Sequence, residues 1–288
     1  MTVRSDPSLP GRAVGGVSTE RYGPLEDQEG DLHLPAQPRP PVVCLLHGGF
    51  WRAPYRRDQF DAVARDLARR GFAVWNLEYR RLGTPGGGWP GTCDDVLLGV
   101  EHLAALVAGG ADLDLGRVAV VGHSAGGHLA LWSAARQRAD RRDGIVGPVR
   151  IRAAAGQAPV ADLVRAHELG LSGGVVSEFL GGTPAERAER YRAASPQLML
   201  PLGVPQLILH GTADDTVPIE ISRGYARAAR AAGDEVELLE LPDAGHMEFL
   251  DPASTAHAAL CEWLTRTLGH LADPDAAAPA PASGRRSP

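Results

Sequence analysis

Three short segments, in a fixed order along the chain, hold the side chains that nucleophilic acyl chemistry needs. They are Gly122-His-Ser-Ala-Gly126, His210-Gly-Thr-Ala-Asp-Asp215 and Gly245-His246. A serine hydroxyl attacks a carbonyl carbon only when a neighbouring base removes its proton. An imidazole, with an ordinary pKa of about 6.5, suits that transfer near neutrality. A carboxylate fixes the imidazole's tautomer and stabilises its charged form. Ser124 is therefore the expected nucleophile, His246 the base and Asp214 the carboxylate. Asp215 competes for the last role and is read instead as a turn or helix-capping residue ahead of Ile219. A fourth segment, His47-Gly-Gly-Phe-Trp51, follows an apolar run directly. Small residues there let backbone N–H groups face a carbonyl oxygen. The amides of Gly49, Phe50 and Ala125 are the expected donors to a tetrahedral oxyanion.

These groups can act together only if a scaffold brings residues 49, 124, 214 and 246 to one place. Continuous apolar runs at 42–46 and 118–121, and strand-like apolar stretches at 72–79, near 150–155, 204–209 and 236–241, read as strands. Helical spacing of apolar residues marks 59–70, 94–108, 125–136, 219–232 and 256–268. Such alternation predicts a mostly parallel, doubly wound sheet with helices on both faces. Functional side chains then gather at the carboxyl ends of the strands. The run 118–121 leads straight into the serine motif, so Ser124 belongs on a strand-to-helix turn. Glycines at 122 and 126 remove side chains that would collide there. Residues 161–201 break the rhythm with short helical pieces joined by Gly and Pro, and read as a small helical cap inserted over the site. The expected organisation is a flexible segment at 1–21, one domain at 22–272 and a disordered Ala/Pro-rich tail at 273–288.

Composition narrows the chemistry. The net charge is -6, and no basic stripe with interleaved aromatics points to nucleic acid. All 29 cationic residues are arginine, which excludes Schiff-base chemistry, a phosphate-loop lysine and a Ser-Lys dyad. The 3 cysteines lack any CxxC spacing, so neither a disulfide framework nor a zinc site is expected. His123 and His128 do not share a helical face and make a poor metal pair. A reduced, cytoplasmic setting fits this cysteine usage. No apolar run is long enough to span a membrane, and no membrane partner is expected.

The motifs together resemble the α/β-hydrolase superfamily, in the branch that holds small esterases and kynurenine formamidases. The residues concerned are His47-Gly-Gly-Phe-Trp51, Glu78-Tyr-Arg-Arg81, Trp89-Pro90 with Asp94-Asp95, Gly122-His-Ser-Ala-Gly126, His210-Gly-Thr-Ala-Asp214, Val217-Pro218 and Gly245-His246. The resemblance implies an α/β-hydrolase fold and a cofactor-free, metal-free serine hydrolase acting on a small or aromatic carboxylic ester. The alternative it leaves open is an arylformamidase acting on an N-formylkynurenine-type amide. Kynurenine formamidases share the HGG-aromatic-Trp loop, whereas hormone-sensitive-lipase-like esterases usually carry a third glycine where this chain has Phe50. The Asp214-Asp-x-Val-Pro stretch also resembles prolyl-oligopeptidase-type enzymes, without their propeller. A silent hydrolase fold used as a binding module is opposed by the complete set of triad motifs. Trp51 and Trp89 are expected at the substrate pocket.

Overall fold

Strand β3 (Pro41–Leu46) shows why this chain builds a sheet covered on both faces. Val42, Cys44 and Leu46 enter one apolar core, while Val43 and Leu45 enter the other. That is the two-residue period of a strand with apolar neighbours above and below. The computed structural model describes residues 16–269. Within them β1 (Val17–Arg21), β2 (Glu29–His33), β3, β4 (Ala73–Leu77), β5 (Asp114–His123), β6 (Ile151–Gln157), β7 (Gln206–Gly211) and β8 (Val236–Leu241) form one sheet. Its order is β1-β2-β4-β3-β5-β6-β7-β8. The pairs from β4 to β8 are parallel, and β1 and β2 add an antiparallel edge.

The helices divide between the two faces. Helices α1 (Asp61–Arg69) and α9 (Thr255–Gly269) pack on the Val43 side, through Val63, Leu67, Leu260, Trp263 and Leu264. Helices α2 (Gly91–Glu101), α3 (Leu103–Ala108), α4 (Ala125–Arg142) and α8 (Ile219–Ala231) pack on the Cys44 side. Between β6 and β7 lies a helical insertion of α5 (Leu163–Glu168), α6 (Leu171–Leu180), α7 (Ala188–Ala194) and a 3-10 turn at Pro196–Met199. β3 hands the chain to β4 on one side and has β5 on its other side. The winding direction therefore reverses at β3, and the crevice beyond the ends of β3 and β5 is where a doubly wound sheet binds ligands.

Residues 17–21 are not part of the flexible leader that the sequence leads one to expect: Val17–Arg21 is an edge strand in register with Glu29–His33. Its side chains alternate between exposed and half-buried, and Val17 is 59% exposed. The strand is held by its backbone ladder more than by burial, so it leaves no apolar signature. The expectations for residues 1–15 and 273–288 lie outside the described residues. Among the described residues no helix is long and apolar enough to cross a membrane. Cys44, Cys93 and Cys261 are free thiols and buried.

Candidate active site

Ser124 occupies the turn between β5 and α4 with φ 57° and ψ -118°, a conformation that L-residues adopt only under constraint. The flanking glycines are dictated by backbone. A Cβ on Gly122 would sit 2.0 Å from the carbonyl oxygen of Gly126, and one on Gly126 would sit 1.9 Å from that of Leu46. The turn is pinned to the next strand, because the Ser124 amide donates to the Gln157 carbonyl at 2.8 Å. Ser124 also stands at the N-terminus of α4, where the helix dipole favours developing negative charge.

The loops after β7 and β8 supply the acid and the base. His246 Nδ1–H donates to Asp214 Oδ2 at 2.7 Å. His210 Nε2 lies 3.2 Å from the same oxygen and 2.9 Å from the Val217 carbonyl, while its Nδ1 meets the Ser222 hydroxyl at 2.7 Å. The other Asp214 oxygen accepts from the amides of Thr216 and Val217, each at 2.9 Å. Burial opposes the charge on Asp214. The hydrogen bonds from His210, His246 and the Val217 amide outweigh it and hold this carboxyl far below the usual carboxylate range. Asp215 is exposed, and among the described residues its carboxylate accepts a hydrogen bond only from its neighbour Thr216. The structure thus brings Asp214 and His246 together and leaves Asp215 outside.

His246 meets the serine turn through His123, whose sequence reading weighed only metal ligation. His123 Nε2–H donates to the His246 carbonyl at 2.8 Å, and the two rings lie 4.6 Å apart. The Ser124 hydroxyl makes no hydrogen bond to the His246 ring among the described residues. Such contacts are commonly long in unliganded sites and tighten when substrate arrives.

The loop after β3 touches the same turn. A Cβ on Gly48 would come within 3.3 Å of Ser124 Cβ. Gly49 has φ +100°, and a Cβ there would strike the Tyr55 side chain at 2.3 Å. Phe50 and Trp51 follow with φ 52° and 56°. Among the described residues, no backbone acceptor engages the amides of Gly49, Phe50 and Ala125. A buried scaffold sets this loop. His47 Nε2–H donates to Glu78 at 2.8 Å, its ring stacks on Tyr79 at 4.3 Å, and the Tyr79 hydroxyl donates to the His47 carbonyl at 2.6 Å. Glu78 also accepts from the Arg57 and Tyr79 amides and pairs with Arg81. Burial opposes its charge, but the His47 hydrogen bond and these neighbours keep its pKa below the ordinary value.

Trp51 is not a pocket wall, because no part of it reaches solvent. Its ring stacks on Phe179 of the insertion at 4.6 Å, and its Nε1–H donates to His128 Nδ1 at 3.2 Å. His128 Nε2–H in turn donates to the Ala194 carbonyl at 2.8 Å. Trp89 is half-buried, donates its amide to the Phe179 carbonyl at 2.9 Å and meets Trp132 edge-on. These aromatics fasten the insertion to the loop beside Ser124.

The same packing makes the fold acid-sensitive. Burial holds His123 and His128 at pKa values of about 3 and about 4, and the charge of His246 adds to the depression at His123. An unfolded histidine takes up its proton near pH 6.5. Between about pH 4 and pH 6.5 the unfolded chain therefore binds more protons than the folded one. Stability from these two groups is complete above that window and is lost as pH falls. Urea unfolding is expected to show a loss of about 4 kcal/mol on going from about pH 7 to about pH 5. His128→Gln should remove roughly half of that dependence. A flat profile would contradict the assignment.

Among the described residues, Asp66, His257 and Cys261 are close enough to hold a metal ion together. They lie where α1 meets α9. The Asp66 carboxylate is already engaged by His257, Arg69 and Arg70, and burial pushes the Cys261 thiol up to about 11. A protonated thiol and a carboxylate shared with two guanidiniums form a helix-to-helix pin.

A serine on the turn after β5, with an Asp–His pair on the loops after β7 and β8 of a mostly parallel sheet, defines the α/β-hydrolase class. Residues 31–228 match the BD-FAE family, an esterase family of that fold, and the chain belongs to it. It is 30% identical over 248 residues to esterase LipC of Mycobacterium tuberculosis, covering 78% of this chain and 57% of LipC. The chain spans less than two thirds of the length of the first curated relatives, 57% and 65%. A propionate-bound esterase, Est2 of Thermogutta terrifontis, superposes with a TM-score of 0.69 at 25% identity, over 94% of this chain and 98% of that one. An inhibited esterase B of Lactobacillus rhamnosis gives a TM-score of 0.74 at 21% identity, over 90% and 89%.

Proposed function

We propose that this chain is a serine esterase that hydrolyses small carboxylic esters through an acyl-enzyme. The observation that carries the reading is the 2.7 Å Asp214–His246 hydrogen bond beside a serine held at the β5–α4 turn. With Nδ1 donating to Asp214, the Nε2 of His246 is free to accept the Ser124 proton. Ser124 Oγ then attacks the ester carbonyl carbon, and the carbonyl π-bond opens onto its oxygen. The amides of Gly49, Phe50 and Ala125 stabilise that oxyanion, each worth about 3 kcal/mol. Collapse expels the alcohol, which takes the proton from His246. Water activated by the same imidazole cleaves the acyl-enzyme and releases the acid. Asp214, kept ionised by its hydrogen bonds, stabilises the imidazolium formed in both halves. The esterase names of the family and relatives and the propionate in one structural neighbour support an ester with a short acyl group.

A p-nitrophenyl ester series from acetate to longer acyl chains, run beside N-formylkynurenine, tests the reading. The expected result is turnover of the short esters, falling with chain length, and slow cleavage of the formamide. Rapid formamide cleavage with negligible butyrate turnover would transfer the chain to the arylformamidase class.

A further inference from the structure

The far end of α4 carries a charge pattern that the hydrolase chemistry does not use. Between Arg136 and Arg152 the chain has six arginines and two aspartates, in a protein of net charge -6. Arg136 pairs with Asp140 at 2.9 Å. Among the described residues, Arg138, Arg141, Arg142, Arg150 and Arg152 make no ion pair. Four of them, Arg138, Arg141, Arg142 and Arg150, line one groove with Ile151, Leu202 and Val204. Partial burial and the charges of Arg152 and Arg141 lower the pKa of Arg150, as expected for cations crowded together. The Nε of Arg152 is buried without a partner. Arg141 and Arg142 complement the dipole at the C-terminus of α4, but that does not account for the other three.

Beside the cluster, the loop at 143–149 lifts Ile145 and Val146 into solvent. They are 62% and 65% exposed, more than any other large apolar residue described. Gly144 precedes the pair and Gly147-Pro148 follows it. Asp143, Asp140, whose carbonyl accepts from the Ile145 amide at 2.8 Å, and Glu101, whose carboxylate lies against Gly147, are acids that adjoin the loop.

We propose that this end of the molecule docks on an anionic lipid bilayer, with Ile145 and Val146 entering the headgroup region and the unpaired arginines meeting lipid phosphates. The pairing of an apolar loop tip with a neighbouring cluster of cations is what interfacial binding requires. A protein partner is favoured less. Two side chains on a convex tip supply far less than the ~800 Å² per partner of a specific protein interface, whereas a fluid bilayer needs no matching pocket. The net negative charge elsewhere repels the same surface, so docking is oriented. Helix α4 runs 18 residues from the serine turn to this end, about 27 Å. The site then faces away from the bilayer and draws its substrate from water.

Sedimentation of the full chain with vesicles tests the proposal independently of any hydrolase activity. Vesicles of phosphatidylcholine alone are compared with vesicles of phosphatidylcholine and phosphatidylglycerol in equal parts, at low and high salt. Binding is expected only with phosphatidylglycerol, and it should weaken as salt rises. Arg141→Gln and Arg150→Gln should each lower the partition coefficient about five-fold. A combined Ile145→Ser, Val146→Ser variant should bind more weakly at every salt concentration. Unchanged thermal melting shows that the variants remain folded. Equal association with both vesicle types, no association, or arginine variants that bind as well as the parent would overturn the proposal. So would a concentration-dependent dimer that the Ile145, Val146 variant dissolves, because it assigns the patch to a second copy of the chain.

Discussion

Replacing Ser124 by alanine is expected to lower kcat on a short p-nitrophenyl ester by on the order of 10⁶-fold and to abolish covalent capture by a fluorophosphonate. Nothing else at the site can take over the attack. His246 would still hold its proton in place and the amides of Gly49, Phe50 and Ala125 would still face the carbonyl, so only the modest rate these groups confer on water would survive. The backbone adds a second, independent readout. Ser124 sits at φ 57°, ψ -118°, and a side chain in such a region costs of order 1–3 kcal/mol. Alanine keeps that strain because it keeps the Cβ. Glycine releases it, at an entropic cost of about 0.5–1 kcal/mol. Ser124→Gly should therefore be as inactive as Ser124→Ala yet more stable to urea, by about 1 kcal/mol. Turnover in the alanine variant within about 100-fold of the parent, or continued capture by the fluorophosphonate, would remove Ser124 as nucleophile. A glycine variant no more stable than the alanine one would show that the turn stores no strain at this residue.

The strands β3 to β7 could be read from the chain because burial on both faces leaves apolar runs, as at Val42–Leu46 and Val118–Val121, and the edge strand β8 shows through Val236, Leu238, Leu239 and Leu241. The first two strands could not. Val-Ser-Thr-Glu-Arg at the edge carries no buried apolar residue, and Glu-Gly-Asp-Leu-His carries one, Leu32. The helix expected over 94–108 divides at His102, where no Gly or Pro signals a break. At the site, the Gly122 and Gly126 requirement was legible because it is steric and local. The choice between Asp214 and Asp215 turns on the loop. Amides of Thr216 and Val217 fold back onto Asp214 and fix its side chain beneath His246, and two adjacent aspartates do not announce that difference. Trp51 was misplaced for a related reason. Its ring partner His128 lies 77 positions away, and Phe179 belongs to the insertion. Which side of a strained loop an aromatic takes is decided by partners that only the fold brings near. The part His123 plays was not legible because its contact is with the backbone of the last loop, which no motif specifies.

Replacing Asp214 by asparagine is expected to lower kcat about 10⁴-fold while leaving KM near its original value. Asp214 accepts three hydrogen bonds, from His246 and two backbone amides, and its Oδ2 lies 3.2 Å from His210 Nε2. The amides of Thr216 and Val217 must keep facing an oxygen, so the asparagine would place its carbonyl there and turn its NH₂ toward His246. A donor now faces Nδ1, which must give up its proton to accept. The proton moves to Nε2, the nitrogen that has to receive the Ser124 proton, and the base is lost with the geometry intact. Ground-state binding of the ester does not involve this pair, so KM holds. Asp215→Asn, one residue on, should change kcat less than two-fold, because among the described residues its exposed carboxylate accepts a hydrogen bond only from Thr216. Steady-state kinetics on the two variants decide the matter. Comparable losses from both, or a larger loss at Asp215, would mean that the carboxylate at 2.7 Å from His246 is not the one that serves it.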